Sequence, residues 1–403
     1  MRCALFILAA ASLAAQNLQF DFTTGKPVPG FRKVPSGTLY SEETGYGFED
    51  AATQPPFYFA VRVPEEGNYR VTVTLGDPAA DSVTTIKAEL RRLMLERVRV
   101  AAGKTETRSF LVNVRTPKIP GDGEVRLKDR EKTTEARAWD NRITLEFTDT
   151  HPAVRTVKVE KADGVPTIYI AGDSTSTDQP REPFNSWGQM LPRFFKPELA
   201  VANDGESGES LRGFLGENRW AKLLSAIKPG DYVLIQMGHN DQKEKGEGVG
   251  AFTTYKSDLK RFVADARQHG ATPVLVTPMN RLTFDSEGKI TNSLGDYPEA
   301  VRQVAREDNV ALIDLHAMSK LFYDALGPTD AHLAFAGNDT THHDNYGSYE
   351  LAKCIVEGIR LNKLPITRYL FRMPPFDPAH PDPVSKFDLP AEAPANAPRP
   401  YGQ

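Results

Sequence analysis

The sequence predicts an all-β sandwich followed by an α/β domain that is built on a parallel five-stranded sheet. Three observations lead to this prediction. Short runs that alternate apolar and polar residues, separated by Gly, Pro and Asp turns, dominate the chain up to about residue 164. From residue 165 onward, short apolar runs alternate with helical periods, which indicates parallel strands joined by helical crossovers. A length of 403 residues is enough for two or three domains, each with its own core.

The overall composition is that of an ordinary globular protein, with 40% hydrophobic and 25% charged residues. The formal net charge is −4, so the charge balance favours neither nucleic acid nor an anionic membrane as a partner. After the N-terminus, no segment is long and apolar enough to predict a membrane span.

Residues 1–16 predict a secretory signal peptide. Arg2 supplies the charged start, Leu5–Leu13 is an apolar run, and small residues follow for cleavage. The run is too short for a membrane anchor, and the lack of a polar face disfavours the alternative of a buried N-terminal helix. The protein is therefore expected to be secreted or periplasmic. Cleavage would leave Cys354 as the one cysteine, so the mature chain could form no internal disulfide.

Residues 17–164 are predicted to form the β-sandwich. Alternation of apolar and polar residues marks four strands: Tyr58–Val63, Tyr69–Leu75, Ser109–Val114 and Ile143–Phe147. Leu90–Val100 carries charges that would suit a helix, but its β-branched end and its surroundings favour a strand.

Six aromatic residues of this region could either form a platform for a sugar or fill the core: Tyr40, Tyr46, Phe48, Phe57, Tyr58 and Trp139. Aromatic residues are the commonest filling of a sandwich core, which favours the core for most of them. In its layout, and in the phrase Thr44–Phe48, the region resembles the galactose-binding-like jelly rolls that are often attached to carbohydrate esterases. The resemblance implies a fold and leaves glycan binding open.

Residues 165–370 are predicted to form a flavodoxin-like three-layer domain. Its five strands are expected at Thr167–Ala171, Leu199–Asn203, Tyr232–Met237, Pro273–Thr277 and Val310–Ile313. Helical periods lie between and after them, at Trp187–Phe195, Trp220–Ile227, Phe252–Gln268, Tyr297–Glu307 and Ser348–Leu361. Such alternation covers both faces of a parallel sheet with helices.

Four polar loops accompany these strands and the last helix: Gly172–Ser174, Asn203–Ser210, Gly238–Asp241 and Asp339–His342. Because parallel strands end at a common edge of the sheet, we expect the loops to converge there.

The converging residue types are those that acyl transfer requires. Ser174 is the candidate nucleophile, and His342 is the candidate base, since a neutral imidazole can accept the serine proton near pH 7. Asp339, three residues earlier, could orient the imidazole. The Asn240 side chain and the N–H groups of Ser174 and Gly208 are candidate donors to an oxyanion, and glycine permits a close approach or a positive φ.

Each of these residues also has a plainer interpretation. The Gly-Asp-Ser run could be a turn that caps a helix, with Asp173 holding the turn. Asn240 and Asp241 could cap a helix, Gly208 could be an ordinary turn and His342 an ordinary surface histidine. We expect His239 to support its own loop through hydrogen bonds.

A metal site is the chemical alternative. Two acids and two histidines follow one another closely and could hold Zn²⁺ or Mn²⁺: Asp339, His342, His343 and Asp344. Neighbouring residues 342 and 343 tend to point apart, however, and the spacings H-x-x-x-H and H-x-H are absent. No metal or other cofactor is predicted.

The four blocks resemble those of SGNH, or GDSL-type, hydrolases. The four marker residues of that family correspond, in order, to Ser174, Gly208, Asn240 and His342, and the D-x-x-H block begins at Asp339. The resemblance implies that Ser174 attacks an ester carbonyl, that His342 acts as base and that Asp339 orients it. It also implies an oxyanion hole made of Asn240 and the N–H groups of Ser174 and Gly208.

Within that family the sequence is most similar to rhamnogalacturonan acetylesterases. The runs that carry this likeness are Ala171–Thr175, Gly238–Asp241 and Asp339–His342 followed by Gly347. His343 and the loop Lys243–Gly250 differ from the expected pattern and bear on the substrate.

The tail, residues 371–403, is rich in Pro, Ala and Asp from Pro374 onward and is expected either to be disordered or to run extended over the surface. Leu364–Phe371 is apolar enough to dock on the α/β domain. We therefore expect an exported serine esterase that deacetylates a plant-type polysaccharide or oligosaccharide, with pectic rhamnogalacturonan as the first candidate. The alternatives are a related esterase acting on acetylated xylan or another acyl ester, a metal-dependent hydrolase, and a carbohydrate-binding protein with an inert hydrolase domain.

Overall fold

The structure is a computed structural model that describes residues 18–52 and 54–390. The predicted signal peptide and the end of the predicted tail lie outside the described residues. No helix within the described ranges has both the length and the apolar character that a membrane crossing requires.

The first part of the chain consists mainly of strands. In chain order, β1 to β12 are Gln19–Asp21, Arg32–Lys33, Tyr46–Phe48, Phe57–Arg62, Gly67–Leu75, Ser82–Ala88, Arg92–Val100, Glu106–Val114, Lys118–Ile119, Gly123–Glu124, Arg142–His151 and Val154–Lys161. One five-stranded sheet has the order β2-β1-β12-β5-β8, and a second has the order β3-β4-β11-β6-β7. Apart from the parallel pair of β1 and β2, neighbouring strands in both sheets are antiparallel.

Both sheets contribute to one hydrophobic core. Val71 and Val157 from the first sheet and Phe59 and Ile143 from the second belong to the same buried cluster. Their alternation along each strand sends every second side chain inward, as expected for packed antiparallel sheets. The predicted sandwich is confirmed, and the segment that could have been a helix is strand β7.

Most of the aromatic residues considered for a sugar platform face the interior of this region. Four of them pack against buried clusters: Tyr46, Phe48, Phe57 and Trp139. Tyr40 and Tyr58 are half-buried, and each ring has an arginine guanidinium 4.5 to 5.0 Å from its centroid.

The α/β domain contains strands β13 to β17, at Thr167–Gly172, Ala200–Asn203, Tyr232–Gln236, Thr272–Val276 and Ala311–Ile313. They form one parallel sheet in the order β14-β13-β15-β16-β17. This order corresponds to the flavodoxin-like arrangement 2-1-3-4-5, so the predicted fold class is confirmed. The helices α1 to α7 are Trp187–Met190, Leu211–Gly216, Arg219–Ala226, Lys256–Gln268, Tyr297–Glu307, Leu315–Asp330 and Asn345–Leu361.

Helices cover both faces of this sheet. Along β13, Ile168 and Ile170 face the buried cluster that includes α1 and α7, whereas Tyr169 and Ala171 face the cluster that includes α3, α4 and α5. Because successive side chains point to opposite faces, a strand covered on both sides must be apolar throughout. That is why short continuous apolar runs marked these strands.

Three helices differ from the sequence prediction. The predicted helix over Trp187–Phe195 ends after one turn and continues as a 3₁₀ turn, Leu191–Phe194. Pro192 has no N–H to donate to the carbonyl of Gly188, so an α-helix cannot continue unchanged through it. Helices α2 and α6 were not predicted.

The sequence of α6 shows no clear helical pattern of apolar residues. Leu321 is 48% exposed, which blurs the apolar stripe, and near the C-terminal end Gly327 has φ +72° and is followed by Pro328. The helix therefore lacks a clean amphipathic period over its full length.

The segment Leu364–Phe371 and the described part of the tail, residues 371–390, contact the α/β domain. Leu364, Ile366 and Leu370 are buried in its core. Further on, the Asp382 carbonyl accepts a hydrogen bond from Tyr346, and the Asp382 carboxylate lies 2.7 Å from Lys353 on α7.

Ion pairs that are shielded from solvent join the sandwich to the α/β domain. Arg91 lies 3.0 Å from Glu182, and Arg92 lies 3.0 Å from Asp178. All four side chains are at most 8% exposed. A buried charge whose partner is removed is strongly destabilised, so these pairs fix how the two parts dock.

A carboxylate at the end of β1 organises the N-terminal edge of the sandwich. Asp21 is buried and accepts hydrogen bonds from the N–H and hydroxyl of Thr23 at 2.8 and 2.7 Å and from the N–H of Val28 at 2.9 Å. Lys33 Nζ lies 3.3 Å away. Burial acts to raise the pKa of Asp21, but these donors outweigh it and lower the pKa to about 2.

We therefore expect Asp21→Asn to reduce the free energy of unfolding by about 1–3 kcal/mol at pH 7, since the new amide N–H₂ would face existing donors. The pKa of Asp21 is lower in the folded than in the unfolded chain. Its contribution to the free energy of unfolding is therefore full above about pH 4 and is lost as the pH falls toward about 2. The difference in the free energy of unfolding between wild type and variant, measured with urea, should shrink as the pH falls through that range. Asp50→Asn, which changes an exposed carboxylate of the same region, should show no such difference.

Candidate active site

The structure brings Ser174, His342 and Asp339 together at the carboxyl edge of the sheet. Ser174 Oγ lies 2.8 Å from His342 Nε2, and His342 Nδ1 lies 3.1 Å from Asp339 Oδ2. Ser174 and His342 are separated by 168 positions in the sequence. All three are at least nine-tenths buried, so their interactions are little weakened by water.

The turn after β13 sets the position of Ser174. The Asp173 carboxylate accepts hydrogen bonds from the N–H and the hydroxyl of Thr175 at 3.0 and 2.7 Å. Gln179 Nε2 donates to the Ser174 carbonyl at 2.8 Å. At Gly172 a Cβ would lie 1.9 Å from Ser176 Oγ and 3.1 Å from the Gln236 carbonyl, so a larger residue would force Ser176 to move. Asp173 thus holds the turn, which was its plainer interpretation.

The loop before α7 sets the position of His342. Asp339 Oδ1 accepts the N–H groups of Thr341 and His342 at 2.7 and 2.9 Å, while its other oxygen faces the imidazole. Burial acts to raise the pKa of Asp339, but the hydrogen bond and charge of His342 and the two N–H groups lower it below its usual range. An anionic Asp339 favours a proton on Nδ1, which leaves Nε2 able to accept the proton of Ser174.

The candidate oxyanion donors lie on two neighbouring loops. Gly208 has φ +83°, a conformation that favours glycine. Asn240 Nδ2 donates to the Glu209 carbonyl at 2.9 Å, and Lys243 lies 3.3 Å from Asn240 Oδ1, which defines the orientation of the amide. That amide keeps a second N–H. Among residues 18–52 and 54–390, the N–H groups of Ser174 and Gly208 donate to no protein acceptor.

Other polar residues of the four loops have supporting positions. His239 lies between Asp173 Oδ2, at 3.3 Å, and the Met279 carbonyl, at 3.1 Å, and so connects its loop to two others. Asp241 accepts the N–H of Leu211 at 2.9 Å at the start of α2. These are the structural roles that were considered for them.

The residues of the metal alternative point in different directions. His343 Nε2 lies 2.6 Å from the Tyr323 hydroxyl, and burial lowers the pKa of His343 to about 3. Asp344 accepts the N–H of Gly347 and caps α7. In the described part of the chain, no group of three or more His, Cys, Asp or Glu side chains is arranged to hold a metal ion.

An open cleft of about 530 Å³ leads to Ser174. The residues that line it are all of polar types: Ser174, His239, Asn240, Gln242, Lys243, Lys245, Arg281, Thr340, Thr341 and His342. Sequence reasoning did not identify Arg281. It follows β16 at the same edge of the sheet, so its position after that strand was the available signal.

Arg281 is held in place by the loop that carries Asn240. Its guanidinium donates to Gln242 Oε1 at 2.6 Å and to the His239 carbonyl at 3.3 Å. Lys243 and Lys245 line the same cleft, so its lining carries three cationic side chains.

Comparisons with known proteins identify a family and several relatives of this chain. Residues 170–347 match the model of the GDSL-like lipase/acylhydrolase family. The chain is 37% identical over 218 residues to the rhamnogalacturonan acetylesterase RhgT of Bacillus subtilis (strain 168), which covers 50% of this chain and 93% of that protein. An uncharacterized esterase of the same organism, YxiM, is 29% identical over 359 residues, or 85% of this chain and 90% of its own. The crystal structure of the Bacillus subtilis protein YxiM, at 25% identity, covers 86% of this chain and 99% of its own with a TM-score of 0.49.

The position of Asp339 generates a test of the site. We expect Asp339→Asn to lower kcat for hydrolysis of p-nitrophenyl acetate by about 10³- to 10⁴-fold, because an amide can hold the imidazole in the wrong tautomer. The chain offers a matched control at its surface, where Asp377 lies 2.7 Å from His380 with the same spacing. Asp377→Asn should retain full activity, and an Asp339→Asn variant that is equally active would contradict the arrangement.

Proposed function

The chain belongs to the GDSL-like lipase/acylhydrolase family, and from that membership we propose that it is a serine carbohydrate esterase that removes acetyl groups from pectic rhamnogalacturonan. The observation that carries this proposal is the contact of 2.8 Å between Ser174 Oγ and His342 Nε2 beside donors able to bind an oxyanion. The likeness to a rhamnogalacturonan acetylesterase supports the choice of substrate.

The proposed acylation step starts at the Ser174 hydroxyl. Its oxygen attacks the acetyl carbonyl while His342 Nε2 takes its proton. The carbonyl oxygen becomes an anion that can accept hydrogen bonds from Asn240 and from the N–H groups of Ser174 and Gly208. Each such donor typically lowers the barrier by about 3–4 kcal/mol. When the intermediate collapses, the sugar oxygen leaves with the proton from His342, and an acetyl-serine remains.

Deacylation uses the same groups. A water molecule attacks the acetyl carbonyl while His342 accepts its proton, and the second tetrahedral intermediate uses the same oxyanion donors. Its collapse returns the proton to Ser174 and releases acetate. The open cleft gives water access to the serine without a conformational change.

The lining of the cleft supports an acetylated, acidic polysaccharide. Its ten side chains are polar, which suits an acetyl group and sugar hydroxyls better than a long acyl chain. Rhamnogalacturonan also carries galacturonate carboxylates, which could pair with Lys243, Lys245 and Arg281. In the described ranges the charge of Asp173 acts on Lys243 and Arg281, but no carboxylate forms a salt bridge with Lys243, Lys245 or Arg281.

We further propose that the enzyme acts outside the cytoplasm. The support is the composition of residues 1–16, with a basic start and an apolar run. A polysaccharide substrate is consistent with an exported enzyme.

Ser174→Ala tests the proposed nucleophile. We expect acetate release from acetylated rhamnogalacturonan to fall by about 10⁴-fold or more, because acylation then lacks its attacking atom. Acetate should be measured directly alongside turnover of p-nitrophenyl acetate. Ser176→Ala changes a hydroxyl two residues away that bonds the Asp173 carbonyl and should remain active. If Ser174→Ala released acetate as fast as the wild type, Ser174 would not be the nucleophile.

Lys245→Gln tests the acidic substrate. Lys245 is exposed, so its loss should leave the fold and the reaction centre unchanged. We expect KM for acetylated rhamnogalacturonan to rise about 3- to 10-fold, the effect of one charge-assisted contact, while KM for neutral acetylated xylan stays the same. Lys386→Gln, at another exposed lysine, should alter neither value. Equal changes for both polysaccharides, or better turnover of the xylan by the wild type, would favour a neutral substrate instead.

A further inference from the structure

Two cationic side chains of the sandwich contact the loop that carries Gly208 in the α/β domain. Lys128 Nζ donates a hydrogen bond to the Ser207 carbonyl at 2.9 Å, and Arg130 Nη2 donates to the same oxygen at 2.7 Å. Lys128 and Arg130 lie between β10 and β11, about 80 residues before the loop. One carbonyl oxygen of the catalytic region thus binds two positive groups from the other part of the chain.

The carbonyl of Ser207 and the N–H of Gly208 belong to the same peptide group. Because the peptide bond is planar, fixing its oxygen also fixes the direction of its N–H. Two charge-assisted hydrogen bonds to the oxygen draw electron density toward it, and hydrogen-bonded groups polarise one another. The Gly208 N–H therefore becomes both better oriented and a stronger donor.

The two cations are themselves held by the loop that they contact. Lys128 forms an ion pair with Glu209, and Arg130 forms one with Glu206. Both cationic side chains are only 22% exposed, and both glutamates are at most 6% exposed. The Glu209 carbonyl also accepts the hydrogen bond from Asn240, so the network connects two of the three candidate oxyanion donors.

A buried pair prevents the segment with Lys128 and Arg130 from shifting. Glu131, between them and β11, accepts two hydrogen bonds from Arg219 of α3, at 2.9 and 2.6 Å, and one from Trp139 Nε1 at 2.7 Å. Arg219 and Glu131 are at most 1% exposed. Such a bidentate, desolvated pair gives the rigid support that a positioned reaction group needs.

We propose that the sandwich completes the oxyanion hole, with Lys128 and Arg130 as positioning residues that orient and polarise the Ser207–Gly208 peptide. This inference rests on the proposed function, since it assigns the Gly208 N–H to the oxyanion. Neither side chain lines the cleft, so neither touches the reacting atoms. Their effect is therefore expected on the transition state and not on substrate binding.

The test uses the full chain with Lys128→Met and Arg130→Met, singly and together. We expect kcat for p-nitrophenyl acetate to fall about 10- to 100-fold in the double variant, less than the loss of a whole oxyanion donor, with KM changed by less than about 3-fold. Arg130→Lys, which keeps a cation, should recover most of the activity of Arg130→Met. A purely structural role would not produce this separation of kcat from KM.

A matched control removes a contact between the same two parts of the chain elsewhere. Arg193 lies 2.6 Å from Glu96 of the sandwich, in a pair that does not contact residues 206–209. Arg193→Met should leave kcat unchanged. Thermal unfolding followed by circular dichroism shows that each variant is folded at the assay temperature. If the double variant is not folded, the proposal is tested by comparing kcat of Arg130→Met with kcat of Arg130→Lys.

Unchanged kcat in folded variants would overturn the proposal, as would an equal loss in Arg193→Met or a loss that is confined to KM. The Ser174→Ala variant separates this failure from a failure of the proposed function. If Ser174→Ala is inactive while the Lys128 and Arg130 variants are fully active, the serine mechanism stands and the positioning role falls. If Ser174→Ala is fully active, the proposed function itself is wrong.

Discussion

The structure depends on one hydrogen bond, between the hydroxyl of Ser174 and the imidazole of His342. It can form because β13 and the loop before α7 both deliver their residues to the carboxyl edge of a single parallel sheet. The sheet is covered on both faces, so neither loop can move without disturbing a buried core. The electrostatics follow from that geometry: Asp339 stays ionised because loop N–H groups and His342 surround it, despite its burial. A polar cleft then leaves the site open to a hydrophilic substrate.

Much of the fold could be predicted from the sequence, and so could the meeting of Ser174, His342 and Asp339 at one edge of the sheet. Each strand of the α/β domain lies within one residue of its predicted bounds, because strands buried on both faces produce short, uninterrupted apolar runs. The polar loops were recognisable because each follows such a run or precedes a helix. What could not be predicted depends on less periodic features. Pro192 shortens α1, and exposed Leu321 together with Gly327 conceals α6.

The contacts between the sandwich and the α/β domain could not be predicted at all. Lys128 and Arg130 look like ordinary surface charges in the sequence, since charged residues between short strands are usually solvated. Their significance comes from their partners, Glu206 and Glu209, which lie far away along the chain. Hydrophobic periodicity indicates which face of a helix or strand is buried. It does not indicate which charged residues that are distant in the sequence form buried ion pairs. Arg281 was missed although it follows β16, because a position after a strand does not by itself show that a side chain lines the cleft.

The buried ion pairs between the two parts have a consequence for how such a protein can change over evolution. Arg91 with Glu182, Arg92 with Asp178 and Arg219 with Glu131 each place one charge on either side of the junction. A sandwich exchanged by recombination for one from another protein would leave the remaining charges without counterions, at a cost of several kcal/mol for each pair that is broken. Substitutions at this junction are therefore expected to occur in compensating pairs.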